Sequence, residues 1–169
     1  MIREPVKILI AEDEQDILLQ YKLALEDKDH HVVTTANGEE CLNVYMKELQ
    51  KQAMPFDAVV LDHRMPKMDG MEVAKRILAA NPRQRIIFAS AYVNETLVDS
   101  VKQLKQIVEL LQKPFELDTL VDLLEDKGIY EQLAQLNVKI KEIKNLNPTH
   151  DQVRDLLEGL NRLHMSKIS

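Results

Sequence analysis

Apolar residues in this chain fall into two alternating patterns: short continuous runs, and longer stretches where they recur every three to four positions. The continuous runs are residues 6–11, 57–62, 85–90 and 107–112, and residues 31–36 add a β-branched segment with Val32, Val33, Thr34 and Thr35. Runs of this length bounded by turn signals read as buried strands of a parallel sheet. Between them the period lengthens. Ile17, Leu18, Tyr21 and Leu25 share one helical face, as do Leu42, Val44, Tyr45 and Leu49, then Val73, Ile77 and Leu78, then Leu97, Val98, Val101 and Leu104. A further helix is expected over residues 116–126. Asn37-Gly38 and Asn81-Pro82 supply the breaks. Five strand–helix alternations within residues 1–128 predict an α/β fold, a doubly wound five-stranded parallel sheet.

Beyond Gly128 the pattern changes. Ile129, Leu133, Leu136, Ile140 and Ile143 recur at four-three spacing, and Val153, Leu156, Leu157, Leu160 and Leu163 form a second stripe. Asn147-Pro148-Thr149 separates them, with Thr149 and Gln152 spaced as a capping box. Residues 129–169 therefore read as a C-terminal helical hairpin, a second domain after residues 1–128. Two readings of it stand. It folds on itself and onto the first domain, or it dimerises or docks a partner, since two helices alone rarely bury both stripes.

Composition narrows the class. Hydrophobic residues at 45% and charged residues at 30% describe a globular chain. Aromatics at 4% with no Trp disfavour base-stacking or sugar-binding platforms. Residues 129–169 carry six basic and five acidic side chains, so the net charge of −6 places −7 on residues 1–128. That sign argues against nucleic acid or an acidic membrane as a general partner. The single Cys41 fits a reducing compartment, and no signal-like or membrane-spanning run is present, so a cytoplasmic protein is expected.

The chemistry sits where the strands stop. The first ends in Glu12 and Asp13, the third in Asp62, the fourth in Ser90 and the fifth in Lys113. In open α/β sheets, reactive groups lie just outside the carboxyl ends of the strands. Carboxylates there can hold Mg²⁺, which takes one or two of them and keeps several waters. An ionised carboxylate beside such an ion can attack phosphorus. A hydroxyl and an ammonium would complete a site for phosphoryl transfer. Each residue alone has a plainer reading: Asp62 as a solvated strand-end carboxylate, Glu12 and Asp13 as caps of the first helix, Cys41 as packing, His63 as a solvent-facing side chain.

Taken in order, Glu12-Asp13, Leu61-Asp62-x-x-Met65-Pro66-x-Met68-Asp69-Gly70, Ser90-Ala91 and Lys113-Pro114-Phe115 resemble the receiver domain of two-component response regulators over residues 1–128. The resemblance implies a flavodoxin-like receiver fold with Asp62 as phosphoacceptor. It implies Mg²⁺ held by Asp13, Asp62 and the backbone carbonyl of Arg64, with Glu12 acting through water. It also implies Ser90 as switch hydroxyl, Lys113 as phosphate partner, and a cis bond before Pro114. Gly70 is read as structural, at a turn that fixes the loop. The implied partners are a sensor histidine kinase or a small phosphodonor, then a second copy of the chain or a downstream protein. No enzymatic activity is implied beyond the chain's own aspartyl phosphorylation and dephosphorylation.

Some positions depart from that pattern. Leu110 stands where the family often has an aromatic switch residue, so an aromatic swing is not available there. Arg64 and Tyr92, each two residues beyond a site residue, hold positions that in the family modulate phosphoryl lifetime. Other classes fit less well. A haloacid-dehalogenase-type phosphatase needs a second Asp where Arg64 stands, and Glu12-Asp13-Glu14 would repel a flavin phosphate. A DNA-binding regulator acting through the helical tail, and a receiver used as a scaffold without phosphorylation, remain as alternatives.

Overall fold

The computed structural model describes residues 5–91 and 108–125. The chain divides into two units, Met1–Glu125 and Asp126–Ser169, and every described residue belongs to the first. In chain order the elements are β1 (Lys7–Ala11), α1 (Gln15–Asp27), β2 (His31–Thr35), α2 (Gly38–Leu49), β3 (Ala58–Asp62), α3 (Gly70–Ala80), β4 (Ile86–Ser90), β5 (Val108–Gln112) and α4 (Leu117–Glu125). The strands form one parallel sheet in the order β2-β1-β3-β4-β5. The predicted helix around Leu97–Leu104, Tyr92 and the hairpin of residues 129–169 lie outside the described residues.

The apolar strand runs explain the layering. Successive side chains of a strand point to opposite faces, so a run that is apolar at every position can bury both. Leu9, Ala11, Val59, Leu61, Ile86, Phe88 and Val108 face α2 and α3, meeting Tyr45, Val73 and Ile77. Ile8, Ile10, Val32, Ala58, Val60, Ile87 and Ala89 face the other way, against Tyr21 and Leu25 of α1 and Leu120, Val121 and Leu124 of α4. The parity of each strand thus sorts its residues between two cores. This is the doubly wound arrangement expected from the sequence.

Helix starts follow local chemistry. Asn37 accepts from the Glu40 backbone N–H at 2.8 Å, and the Glu40 carboxylate accepts from the Ala36 N–H at 3.0 Å, a reciprocal cap for α2. Asp69 caps α3 by accepting from the Glu72 N–H at 2.9 Å. At α1 the N-cap is Glu14, which makes no side-chain cap bond. Among the described residues, no helix is long and apolar enough to cross a membrane.

Candidate functional site

In the observed strand order, chain direction across the sheet reverses between β1 and β3, and the crevice outside their carboxyl ends is the expected binding position. Register aligns Ala11 with Leu61, so the residues just beyond them, Glu12 and Asp62, emerge side by side. Carboxylate oxygens of Glu12, Asp13 and Asp62 lie within 4.8 Å of one another. Glu12 is buried and Asp13 exposed, while Asp62 stands between, its side chain 13% exposed. The Glu12 carboxylate also accepts from the Glu14 N–H at 3.2 Å, which holds the acidic turn against the sheet.

Lys113 closes the far side. Its ammonium is 2.7 Å from Glu12 Oε2 and 3.7 Å from Asp62 Oδ1. The Lys113 backbone N–H donates to the Ser90 carbonyl at 2.8 Å, tying the ends of β4 and β5 together. The Lys113–Pro114 bond is cis, as the sequence motif implied. Ser90 is buried at the end of β4, one residue past Ala89, the partner of Asp62 across the sheet. The sequence-predicted residues Glu12, Asp13, Asp62, Ser90 and Lys113 therefore converge on one end of the sheet.

Electrostatics mark Asp62. Burial and the neighbouring Glu12 carboxylate push its carboxyl up to about 7, with Asp13 adding to the effect and Lys113 opposing it. One ammonium does not balance three carboxylates. The cluster has the character of a site with room for a further cation.

The loop after β3 sets the position of Asp62. Lys67 adopts a left-handed φ of 69°, and the Gly70 N–H donates to the His63 carbonyl at 2.9 Å. Gly70 consequently lies against the Asp62 carbonyl, where a Cβ would collide with backbone. Its structural role was legible as a turn, but the close approach was not. Arg64 is exposed on this loop. Leu110 is partly buried, packs against the α2/α3 core and pairs with Phe88. Cys41 is fully buried, as packing predicts, and burial pushes its thiol up to about 12.

One expectation fails. His63 does not simply face solvent: it is half-buried, and its Nδ1 is sequestered without a hydrogen-bond partner among the described residues. The return of the loop onto Asp62 carries the ring inward. Sequence reasoning also missed Tyr21. It stacks on Phe115 with ring centroids 5.7 Å apart, and burial, followed by Glu12 and Asp62, raises its phenol above the usual range. Its place on the apolar face of α1 signals burial but not a site neighbour.

Comparison with known proteins agrees with this geometry. The family model described as the response regulator receiver domain matches residues 8–125. The chain is 34% identical over 122 residues to the chemotaxis protein CheY of Listeria monocytogenes, covering 71% of this chain and 96% of that protein. It is 29% identical to sporulation initiation phosphotransferase F of Bacillus subtilis, covering 69% and 88% of the two chains. Among solved structures, Vibrio cholerae chemotaxis protein CheY4 superposes with a TM-score of 0.62 at 26% identity, covering 72% of this chain and 98% of that one.

Proposed function

The chain belongs to the response regulator receiver family, whose members serve phosphorylation-dependent signalling, and on that premise we propose that it is a two-component response regulator with Asp62 as its phosphoacceptor. The observation that carries this reading is the convergence of Glu12, Asp13, Asp62, Ser90 and Lys113 at one end of the sheet. The protein acts as a signalling module, and its own chemistry is confined to gaining and losing one phosphoryl group.

The donor set suits Mg²⁺. It consists of hard carboxylate oxygens, lies partly open to water, and holds more negative charge than Lys113 offsets. Asp13 and Asp62 would hold the ion with the Arg64 backbone carbonyl, and Glu12 would act through water. Bound there, the ion supplies positive charge that keeps Asp62 ionised and offsets charge on the phosphoryl oxygens.

The side chains divide the remaining work. A carboxylate oxygen of Asp62 forms the new bond to phosphorus as the bond to the donor breaks. The electron pair leaves with the donor, on the imidazole nitrogen of a phosphohistidine, which then takes a proton from solvent, or on the carboxylate oxygen of an acyl phosphate, which keeps the charge. Lys113, already between two carboxylates, turns its ammonium to a phosphoryl oxygen. The Ser90 hydroxyl donates to another. Drawing Ser90 inward shifts the populations of a pre-existing equilibrium in the face formed by β5 and the segment after Ser90. Leu110 on β5 repacks with that face rather than swinging as an aromatic would. Arg64 and Tyr92 shield the phosphoryl group from water. Residues 129–169 serve as the interaction or dimerisation module through which a second copy or a downstream protein is engaged.

The test is incubation with acetyl phosphate and Mg²⁺, followed by intact mass measurement. The parent should gain one phosphoryl group, and chelation of the metal or Asp62→Asn should abolish the gain. Phosphoryl transfer undiminished in Asp62→Asn would overturn the assignment. Light scattering with and without Mg²⁺ and beryllofluoride then asks whether the output is self-association.

A further inference from the structure

At the opposite end of the sheet from Asp62, two side chains from different strand starts meet residues 123–125 of α4. Arg85, immediately before β4, donates to the carbonyls of Leu123 at 2.6 Å and Leu124 at 3.4 Å. The same guanidinium is held by Glu109 on β5, its Nε 2.8 Å from Glu109 Oε1, and the pair is almost entirely buried. His30, just before β2, approaches from the other side with its Nε2 3.1 Å from Glu125 Oε1.

The hydrogen bonds determine the state of that histidine. The Val6 N–H donates to His30 Nδ1 at 3.1 Å, so Nδ1 is the bare nitrogen and Nε2 carries the proton given to Glu125. His30 is therefore a neutral bridge from Val6, beside β1, to Glu125 on α4. Its side chain is 2% exposed, so water does not replace either bond. The other end of α4 begins two residues after Phe115 of Lys113-Pro114-Phe115, and Phe115 stacks on Tyr21. One short helix thus runs from the candidate phosphate partner to this buried anchor.

We infer that Arg85 and His30 form a basal clamp that fixes Leu123, Leu124 and Glu125 of α4 to the sheet, so that α4 pivots there when Lys113 changes partner. The hold on these three residues follows from the contacts themselves. The pivot rests on the phosphoacceptor reading above.

A nitroxide placed at Asp122→Cys reads the clamp, because Asp122 is exposed on α4 while Cys41 is buried and stays unlabelled. In the parent the label should show restricted motion. His30→Ala, Glu125→Ala and Arg85→Met should each add a fast-motion component, while Glu125→Gln, which keeps an acceptor oxygen for His30, should resemble the parent. Where Arg85→Met fails to fold, Arg85→Lys keeps a charge beside Glu109 but loses the fork that reaches both carbonyls. Unchanged spectra in folded His30→Ala and Arg85→Lys would overturn the clamp, and so would a Glu125→Gln spectrum as mobile as that of Glu125→Ala. Adding Mg²⁺ and beryllofluoride should alter the parent spectrum and leave the His30→Ala spectrum unaltered, with fluorine NMR confirming the bound analogue in both. Bound analogue with no spectral change in the parent overturns the pivot. No bound analogue counts against the phosphoacceptor reading, and the resting spectra still decide the clamp.

Discussion

Lys113 and Glu12, 101 positions apart in the chain, form the tightest ion pair of the candidate site, with Nζ 2.7 Å from Oε2. Asp62 is 1 Å farther from the same ammonium, at 3.7 Å. The lysine rests on the buried acid and is within reach of the proposed phosphoacceptor. Lys113→Met should leave Glu12 buried without that partner, or force it to take a proton. A loss of about 3 kcal/mol in urea unfolding at neutral pH is expected, together with impaired phosphoryl acceptance from acetyl phosphate. Full stability in this variant would show that Glu12 does not depend on the pair.

Asp62 makes stability depend on pH in the opposite sense from a salt-bridged carboxylate. Burial and Glu12 push its carboxyl up to about 7 in the folded protein, from 3.8 for a free side chain. Between those values the native state holds a proton that the unfolded state has released, so stability falls as pH rises. Without divalent metal, Asp62→Asn should therefore melt at the same temperature as the parent near pH 4. By pH 7.5 it should melt higher, by on the order of 5 °C, the shift expected for one or two kcal/mol in a domain of this size. Thermal unfolding in the presence of a chelator across that range measures the gap. Added Mg²⁺ should narrow it by stabilising the parent alone.

Gly70 lies against the Asp62 carbonyl with no space for a side chain. Gly70→Ala should displace the 62–63 backbone or the start of α3, at a cost of about 1–3 kcal/mol. Phosphoryl acceptance should fall as well, because the displaced residue is Asp62 itself. A stable Gly70→Ala protein with normal acceptance would show that the loop yields without moving the site.

Tyr45 offers a control remote from the chemistry. Its hydroxyl donates to Gln84 Oε1 at 2.8 Å and accepts from Asn81 Nδ2 at 3.0 Å, all three residues being buried. Tyr45→Phe removes the donor to Gln84 Oε1, while Asn81 Nδ2 keeps the Ala53 carbonyl at 3.4 Å, and should cost about 1–3 kcal/mol in chemical denaturation. The rate of phosphoryl transfer to Asp62 should not change.

Arg64→Ala and Tyr92→Ala test the shielding role assigned to these two side chains. Each should shorten the lifetime of the aspartyl phosphate, measured by decay after the donor is removed. Unchanged lifetimes in both would sink the idea.

The elements and the membership of the site were readable along the chain because both are written in short-range patterns. Continuous apolar runs announce strands buried on both faces, Asn37-Gly38 and Asn81-Pro82 announce breaks, and a polar residue closing a strand places chemistry at one end of a parallel sheet. Glu12, Asp13, Asp62, Ser90 and Lys113 could be named in this way without a contact being known. Which of them touch was decided only by the tertiary structure. Strand order and register set the Lys113–Glu12 pair and the raised carboxyl of Asp62, and no local spacing encodes them. The same holds for Arg85 with Glu109 and His30 with Glu125, whose partners are 24 and 95 positions away. Periodicity shows which face of an element is buried; only the packed sheet shows what lies across from it.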